Sequence, residues 1–202
     1  MNTFVFDIGN VLLNYDPILL VSRVIGETND NEYLAKTLFD RKYWSKLDLD
    51  EIDIEDEKED LKNVLPPHLY NIGCHILDSW LDNITQIEGV QETLEYLRSK
   101  NYKIYYLSNI CSQFIDEYKE YPHIASLIDL FDGGVISGKI HIVKPDDRIY
   151  YYLFDNYHVN PREALYIDDN IDNIKKGQQL GLNTYLFDGD GNKLKDYIKG
   201  RF

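Results

Sequence analysis

The chain has 202 residues, of which 44% are hydrophobic, and a formal net charge of −14. This composition favours a packed core over a disordered chain. The excess of negative charge argues against non-specific binding to nucleic acids and to anionic membrane surfaces, because both need a basic protein surface.

The cysteines and the apolar runs indicate the compartment. Only Cys74 and Cys111 are present, and two isolated thiols favour a reducing environment over a disulfide framework. No basic and apolar leader opens the chain, and no apolar run approaches the roughly 18 residues of a membrane span. We therefore expect a cytoplasmic protein without a membrane partner.

The first predicted element is a buried strand that ends in a carboxylate. Phe4–Phe6 are apolar, Asp7 follows them directly, and Gly9 permits a turn. Ionised side chains are rarely left at the end of a buried strand without a partner. Asp7 is therefore the first candidate functional residue.

Residues 17–85 are predicted to form a helical insertion without a convincing strand. The helical segments are Ile18–Val24, Tyr33–Phe39, Glu55–Val64 and Leu69–Leu81. The acidic run Asp48–Asp60 is interpreted as a solvated helix face. The chain would then consist of an α/β core over residues 1–16 and 86–202 and a helical cap over residues 17–85.

Strands and helices alternate over the rest of the chain. The predicted elements are a helix over 89–100, a strand over Lys103–Ser108, a helix from Ser112, a helix over Tyr150–Tyr157, a strand over Ala164–Ile167, a helix over Ile171–Leu180 and a strand over Thr184–Phe187. Such alternation is typical of a parallel sheet covered on both faces. The predicted fold class is α/β, with a doubly wound, Rossmann-like parallel sheet and an inserted helical cap domain.

Four predicted strand ends carry polar residues. They are Asp7, Ser108 with Asn109, Lys144 with Pro145, and Asp168 with Asp169. Open parallel sheets bind ligands beyond the carboxyl ends of their strands. A carboxylate there can attack phosphorus, a hydroxyl and an amide can bind phosphate oxygens, a lysine can offset negative charge, and paired acids can bind Mg²⁺. Each group alone is more typical of a turn or a helix cap.

The four groups, taken in order, resemble the motifs of the haloacid dehalogenase (HAD) superfamily, and the likeness covers nearly the full chain. Phe4–Asp7 with Gly9, Asn10, Val11 and Leu12 resembles the first motif, and Tyr106–Asn109 the second. Lys144–Asp146 with Arg148–Tyr150 resembles the third, and Ile167–Asp169 with Asn173 the fourth. Residues 17–85 lie where this family places its helical cap.

The resemblance implies a Mg²⁺-dependent phosphatase that hydrolyses small phosphate monoesters, with sugar phosphates favoured, through an aspartyl-phosphate intermediate. Asp7 would be the nucleophile, and Lys144 would steady it. Mg²⁺ would be held by Asp7, the backbone carbonyl of Gly9 and Asp169. Asp168 would be a close neighbour of the ion or an additional ligand.

The same resemblance implies a phosphate-binding group. Ser108 and Asn109 would bind the phosphate together with Lys144. Asn10 has two interpretations, since it either supports the turn after Asp7 or points its N–H at the phosphate. The expected partner is a small phosphorylated metabolite, and the expected oligomeric state is a monomer or a weak homodimer.

One position departs from the family pattern. Most phosphatases of the family carry a second aspartate two residues after the nucleophile as general acid and base, and here that position is Gly9. A missing general acid costs on the order of 10²–10⁴-fold in rate. The Gly-Asn-Val variant resembles a branch that includes bacterial phosphatases of sugar 1-phosphates, whose leaving groups are less basic. A substrate hydroxyl, a metal-bound water or a cap residue remain as proton donors.

Three other functions remain in view. A haloacid dehalogenase also lacks the second acid, but it needs no metal, and Asp168 and Asp169 would only repel each other in a metal-free site. A response-regulator receiver carries its acid pair and its phosphorylated aspartate in the reverse order. Gly9 is also compatible with a catalytically silent phosphate-binding or regulatory protein.

Two segments beside the cap are lesser candidates. Tyr15 and Asp16 lie where the flap of this family joins its cap, and Asp16 is also a good N-cap before Pro17. Tyr43 and Trp44 either face the site, where aromatic rings suit sugars, or pack in the core.

Overall fold

The structure is a computed structural model that describes residues 2–202. The strands are β1 Thr3–Phe6, β2 Leu13–Asn14, β3 Thr85–Gln86, β4 Lys103–Ser108, β5 Gly133–Ile136, β6 Ala164–Asp168 and β7 Asn183–Leu186. The α-helices are α1 Pro17–Ile25, α2 Asn31–Leu38, α3 Arg41–Leu47, α4 Ile54–Val64, α5 Pro67–Asp78, α6 Trp80–Asn83, α7 Val90–Ser99, α8 Ser112–Glu117, α9 Pro122–Ile128, α10 Ser137–Ile140, α11 Asp147–Tyr157, α12 Ile171–Gln179 and α13 Gly191–Arg201. Within residues 2–202, none of these helices combines the length and the apolar character that crossing a bilayer requires.

Five strands form one parallel sheet in the order β5-β4-β1-β6-β7. The chain fills one side of β1 with β4 and β5, and then crosses to the other side for β6 and β7. The switch in strand order therefore lies at β1, where open sheets bind their ligands. Asp7 follows β1 directly, while Ser108 and Asp168 are the last residues of β4 and β6, so the three residues meet at one edge of the sheet.

Alternate side chains of β1 pack on opposite faces of the sheet. Phe4 and Phe6 belong to one buried cluster, together with Leu94 of α7. Val5 belongs to a second cluster, together with Leu153 of α11. A parallel sheet covered on both sides requires two such apolar faces. The predicted α/β fold class is confirmed.

Helices α1–α6 lie between the short strands β2 and β3. These strands pair antiparallel, with Leu13 opposite Gln86, so that the chain leaves the sheet domain and returns to it side by side. Asp16 caps α1 as predicted, since its carboxylate accepts hydrogen bonds from the N–H groups of Ile18 and Leu19 at 3.0 and 3.1 Å. The division into a core and a cap with the stated boundaries stays a prediction.

Several local predictions are wrong or incomplete. The segment Leu69–Leu81 is not one helix, because α5 ends at Asp78 and α6 begins at Trp80. Strand β3 lies at the end of the segment in which no strand was expected, and α3, β5 and α13 were not predicted. The glycines of β5 conceal it, because Gly134 packs against the side chain of Tyr106 so closely that a Cβ there would clash.

Candidate active site

Asp7 stands at the carboxyl end of the central strand. Its backbone N–H donates to the Ile167 carbonyl of β6 at 2.9 Å, so strand pairing continues up to this residue. Its Oδ1 accepts a hydrogen bond from the Ile8 N–H at 2.7 Å, and the residue is only 8% exposed. The carboxylate is therefore held in one orientation, as a nucleophile that attacks along a fixed line requires.

Lys144 joins two of the predicted acids. Its Nζ lies 2.9 Å from Asp7 Oδ1 and 2.7 Å from Asp168 Oδ2, and it donates to the Leu107 carbonyl at 2.8 Å. Burial alone would lower the pKa of Lys144, but the carboxylates of Asp168 and Asp7 outweigh burial and raise that pKa. Burial raises the pKa of Asp7 to about 7, against the attraction of Lys144. The lysine is thus a permanently charged neighbour of Asp7.

Asp168 is completely buried, and protein donors occupy both of its oxygens. Oδ1 accepts from the Asn170 N–H at 2.8 Å and from Asn173 Nδ2 at 3.1 Å. Oδ2 accepts from Lys144 Nζ at 2.7 Å and from the Tyr166 hydroxyl. Asn173 therefore fixes the acidic loop, and the saturated Asp168 carboxylate holds Lys144 in position.

Asp169 is the exposed member of the acid pair and lines a cavity. Oxygen atoms of Asp7, Asp168 and Asp169 all lie within 4.8 Å of one another. Burial, followed by repulsion from Asp168, raises the pKa of Asp169, and a bound cation would relieve this repulsion. Carboxylate oxygens are the hard ligands that Mg²⁺ prefers. The residues present therefore fit a magnesium ion, and Gly9 lines the same cavity.

Two of the predicted phosphate-binding residues lie next to the Asp7–Lys144 pair. Ser108 is buried at the end of β4, with its hydroxyl in reach of the Asp7 carboxylate. Asn109 lines the cavity, but its side chain is bound to the backbone of Lys144. Its Nδ2 donates to the Lys144 carbonyl at 3.0 Å, and its Oδ1 accepts from the Lys144 N–H at 2.7 Å. Asn109 therefore anchors the segment that carries Lys144.

Asn10 supports the turn that follows Asp7. Its N–H donates to the Leu13 carbonyl at 2.7 Å, and its Oδ1 accepts from the Tyr15 N–H at 3.0 Å. Its φ of 54° lies in the left-handed region, which asparagine tolerates in tight turns. Because the turn occupies the N–H, a phosphate-binding role for Asn10, which stays a prediction, would fall to its side-chain amide.

A cavity of about 230 Å³ opens beside these residues. Its outer wall is supplied by Tyr15 and by the helical segment, namely Phe39, Arg41, Trp44, Ser45 and Asp48. The rings of Tyr15 and Trp44 lie 5.7 Å apart, so Trp44 both packs and lines the cavity. The wall is aromatic, with one arginine and one carboxylate facing the acids of the sheet.

Arg41 and Asp48 line the cavity but were not among the predicted site residues. The interpretation of Asp48–Asp60 as a solvated face is wrong at two positions, since Asp48 lines the cavity and Glu57 is completely buried. The aromatic residues Phe39, Tyr43 and Trp44 flank Arg41 in the sequence, and they could have indicated that this segment forms a wall of the cavity. No local pattern marks Asp48, because its surroundings come from distant parts of the chain.

Comparison with known proteins finds relatives over most of the chain. The family of haloacid dehalogenase-like hydrolases matches residues 1–181. A D-ribitol-5-phosphate phosphatase from Bacteroides thetaiotaomicron is 25% identical over 197 residues, which cover 92% of this chain and 91% of that protein.

Two solved structures share the fold at lower identity. A HAD family enzyme from Bacteroides thetaiotaomicron, in complex with magnesium and inorganic phosphate, has a TM-score of 0.66 at 19% identity and covers 92% of this chain and 93% of its own. A dehalogenase has a TM-score of 0.70 at 22% identity and covers 91% and 83%.

The chain belongs to the haloacid dehalogenase-like hydrolase family, because the family match spans most of its length. The predicted superfamily and the prediction of a hydrolase are confirmed. Relatives of this fold include both a phosphatase and a dehalogenase.

Proposed function

We propose that this hydrolase is a Mg²⁺-dependent phosphatase of small phosphate monoesters, with sugar phosphates favoured. The observation that carries the proposal is the buried Asp7 carboxylate, 2.9 Å from Lys144 Nζ, in a cavity that Asp169 also lines. This arrangement supplies a nucleophile, a fixed cation and a metal-binding acid to one bound group.

The reaction proceeds in two steps. An Asp7 oxygen attacks phosphorus and displaces the leaving-group oxygen, which produces an aspartyl phosphate. Water then cleaves this acyl phosphate and releases inorganic phosphate. Lys144 offsets negative charge on the phosphoryl oxygens throughout, and Ser108 and Asn109 hold the phosphate against the strand ends.

The metal would be held by Asp7, Asp169 and the Gly9 carbonyl. Bound Mg²⁺ supplies positive charge at the phosphoryl oxygens and would lower the pKa of Asp7. The two oxygens of Asp168 are already bonded to protein donors, so Asp168 acts on the site through Lys144 rather than as the main metal ligand. Asp169 is exposed and lines the cavity, with the Asn10 side chain rather than a cation as its hydrogen-bond partner, and it is therefore the better ligand.

The cavity supports a small, polar substrate. Its volume of about 230 Å³ lies below the roughly 300–1,000 Å³ of pockets for drug-sized ligands. The aromatic wall at Tyr15 and Trp44 suits the apolar face of a sugar or a polyol. The relative that acts on D-ribitol 5-phosphate supports the same substrate class.

A dehalogenase-type hydrolase is the second candidate. It is supported by the dehalogenase of similar fold and by Gly9, since a halide leaves without a proton. Asp169 weighs against it, because Lys144 already pairs with Asp7 and Asp168, and the repulsion of a third carboxylate by Asp168 would be relieved by a further cation. A catalytically silent protein would share the geometry and differ only in turnover.

The remaining features belong to the same proposal. The partner is a small phosphorylated metabolite rather than a nucleic acid or a membrane, and the protein acts in the cytoplasm as a monomer or a weak homodimer. Residues 17–85 act as a cap that closes over the substrate and excludes water. Gel filtration with light scattering tests the oligomeric state.

A phosphate-release screen tests the function. The purified chain is assayed on sugar phosphates, D-ribitol 5-phosphate, nucleotides and acyl phosphates, with Mg²⁺ and with EDTA, and on 2-chloropropionate with detection of chloride. We expect phosphate release that depends on Mg²⁺ and no chloride release. Metal-independent chloride release would support the dehalogenase, and no turnover of any compound would support the silent protein.

A further inference from the structure

The proposed reaction lacks a proton donor at the usual place. An alcohol leaves phosphorus slowly unless its oxygen is protonated as the bond breaks. Gly9 has no side chain to do this, and Asp7, Asp168 and Lys144 are bound to one another. Of the donors that the sequence leaves open, a residue of the helical segment would have to be a titratable group that lines the cavity with Asp7.

Asp48 is such a group. It follows the last residue of α3 and lines the cavity from the side of the helical segment, while Asp7 and Asp169 line it from the side of the sheet. Its side-chain carboxyl makes no hydrogen bond or ion pair with another residue between 2 and 202. A leaving-group oxygen between the two walls would therefore meet a free carboxyl.

The segment that carries Asp48 is fastened to the core at three successive residues. The Ser137 hydroxyl donates to the Asp48 carbonyl at 2.5 Å, the Leu49 carbonyl lies 2.7 Å from His141 Nδ1, and the Asp50 carboxylate accepts from the Ser112 N–H at 2.9 Å.

A glycine makes this docking possible. A Cβ at Gly138 would lie only 2.5 Å from Asp50 Oδ1 and 2.5 Å from the Ser112 nitrogen, so the close approach of the two segments depends on the missing side chain. Asp48 is therefore tied to the part of the chain that carries the strand ends.

The electrostatic surroundings let Asp48 hold a proton near neutral pH. Burial raises the pKa of Asp48 to about 7, although the positive charges of Arg41 and Lys144 pull it down. Asp48 also acts on Tyr15 and Cys111, whose pKa values burial raises further above 7, so both stay neutral at that pH. Asp48 is thus present in both protonation states, as a general acid and base requires.

We propose that Asp48 is the catalytic acid and base of this chain, an inference that rests on the proposed phosphatase function. In the first step an Asp7 oxygen bonds to phosphorus, the bond to the leaving-group oxygen breaks, and that oxygen takes the proton of Asp48. In the second step the Asp48 carboxylate takes a proton from water as the water oxygen bonds to phosphorus. The bond to Asp7 then breaks, and both residues return to their starting states.

The test compares leaving groups in single-turnover kinetics with Mg²⁺. The Asp48→Asn variant is mixed with p-nitrophenyl phosphate, whose leaving group departs as a stable anion, and with D-ribitol 5-phosphate or the best alcohol monoester of the screen. We expect release of the alcohol to fall by roughly 10²–10⁴-fold and release of p-nitrophenol by less than about tenfold. With p-nitrophenyl phosphate in excess over enzyme, the variant should also show a pre-steady-state burst of p-nitrophenol, because hydrolysis of the aspartyl phosphate loses its base.

Restoring an acid at the usual place provides the second arm. No atom outside the two neighbouring residues lies within 4 Å of a Cβ built on Gly9, so the side chain of Gly9→Asp would start in open space. In the Asp48→Asn background, Gly9→Asp should recover alcohol release and abolish the burst. Glu51→Gln, an exposed acid of the same segment that is not part of the cavity wall, is the matched control and should match the wild type.

Three results would overturn the assignment of Asp48. They are equal losses of activity for the two substrates, no loss for either substrate, and a burst in Asp48→Asn that the added Gly9→Asp leaves unchanged. Circular dichroism of each variant checks folding, and Asp48→Glu, which keeps the carboxyl, should retain more alcohol release than Asp48→Asn. A wild type without phosphatase activity would instead refute the proposed function, so the two failures are distinguishable.

Discussion

The Nζ atom of Lys144 lies 2.9 Å from Oδ1 of Asp7, and both side chains are almost completely buried. A buried ion pair of this kind contributes little net stability while it is intact. Removing one partner leaves an uncompensated charge, which is strongly unfavourable. The site therefore links catalysis to stability.

We predict that Lys144→Met destabilises the protein by about 3–5 kcal/mol, because Asp7 and Asp168 lose their common cation. Phosphatase activity should fall to background in the same variant. Urea unfolding at pH 7.5 measures the stability. Lys139→Met, which removes a surface pair with Asp116, is the control and should change stability by less than about 1 kcal/mol. Similar unfolding midpoints for the two variants would contradict this prediction.

The two adjacent acids should respond differently to neutralisation. Asp168→Asn breaks the hydrogen bonds that position Lys144, so we expect a loss of roughly 1–3 kcal/mol in unfolding free energy. Asp169→Asn removes a repelled, exposed carboxylate, so stability should stay within about 0.5 kcal/mol. The Mg²⁺ concentration that gives half-maximal activity of the Asp169→Asn variant should rise by at least about tenfold, since a charged ligand is lost.

Magnesium titrations of phosphate release and urea unfolding separate these two roles. An Asp169→Asn variant with an unchanged Mg²⁺ requirement would show that another group is the main metal ligand. An unchanged stability in Asp168→Asn would show that Lys144 keeps its place without this acid.

Glu57 should make stability depend on pH. It is completely buried in α4, and neither carboxylate oxygen has a hydrogen-bond partner among residues 2–202. Burial, followed by repulsion from Asp60, raises its pKa from 4.5 to about 8. Between pH 4.5 and pH 8 the folded state therefore binds a proton that the unfolded state has lost. The free energy of unfolding falls as the pH rises through this range, by up to about 1.4 kcal/mol per pH unit.

We expect Glu57→Gln to flatten this slope and to be more stable than the wild type at pH 8. Urea unfolding at pH 5, 6.5 and 8 measures the slope. Glu59→Gln, an exposed position on the same helix, should keep the slope of the wild type. Parallel stability profiles for Glu57→Gln and the wild type would show that Glu57 does not titrate in this range.

The core and its acids were predictable because their signals are local. β1, β4 and β6 are apolar runs, each ending in or directly followed by a polar residue, and a parallel sheet brings such ends to one edge. Asp7 and Asp169 line one cavity for this reason. The prediction that Lys144 follows a strand is wrong, because Lys144 lies in the loop between α10 and α11 and reaches the same cavity from there. The roles of these residues were predicted from the chemistry of their side chains and from the resemblance to the family. The order of the four motifs along the chain made that resemblance specific.

The wall opposite these acids was not predictable from local patterns. Helix α3 buries only Leu47, because it packs over a cleft rather than along a sheet, and so it lacks an amphipathic pattern. Asp48 and Glu57 lie in a run of acids typical of a solvated face. The position of Asp48 depends on a contact with the distant residue Ser137, which no sequence window contains.

The attack by Asp7 is the central claim, and phosphate release by Asp7→Asn with Mg²⁺ tests it most directly. The amide cannot form the acyl phosphate, so we predict release at background on the best substrate of the screen, with wild-type release by the control Asp155→Asn, an exposed acid on α11. Mg²⁺-dependent release by Asp7→Asn near the wild-type rate would contradict the account.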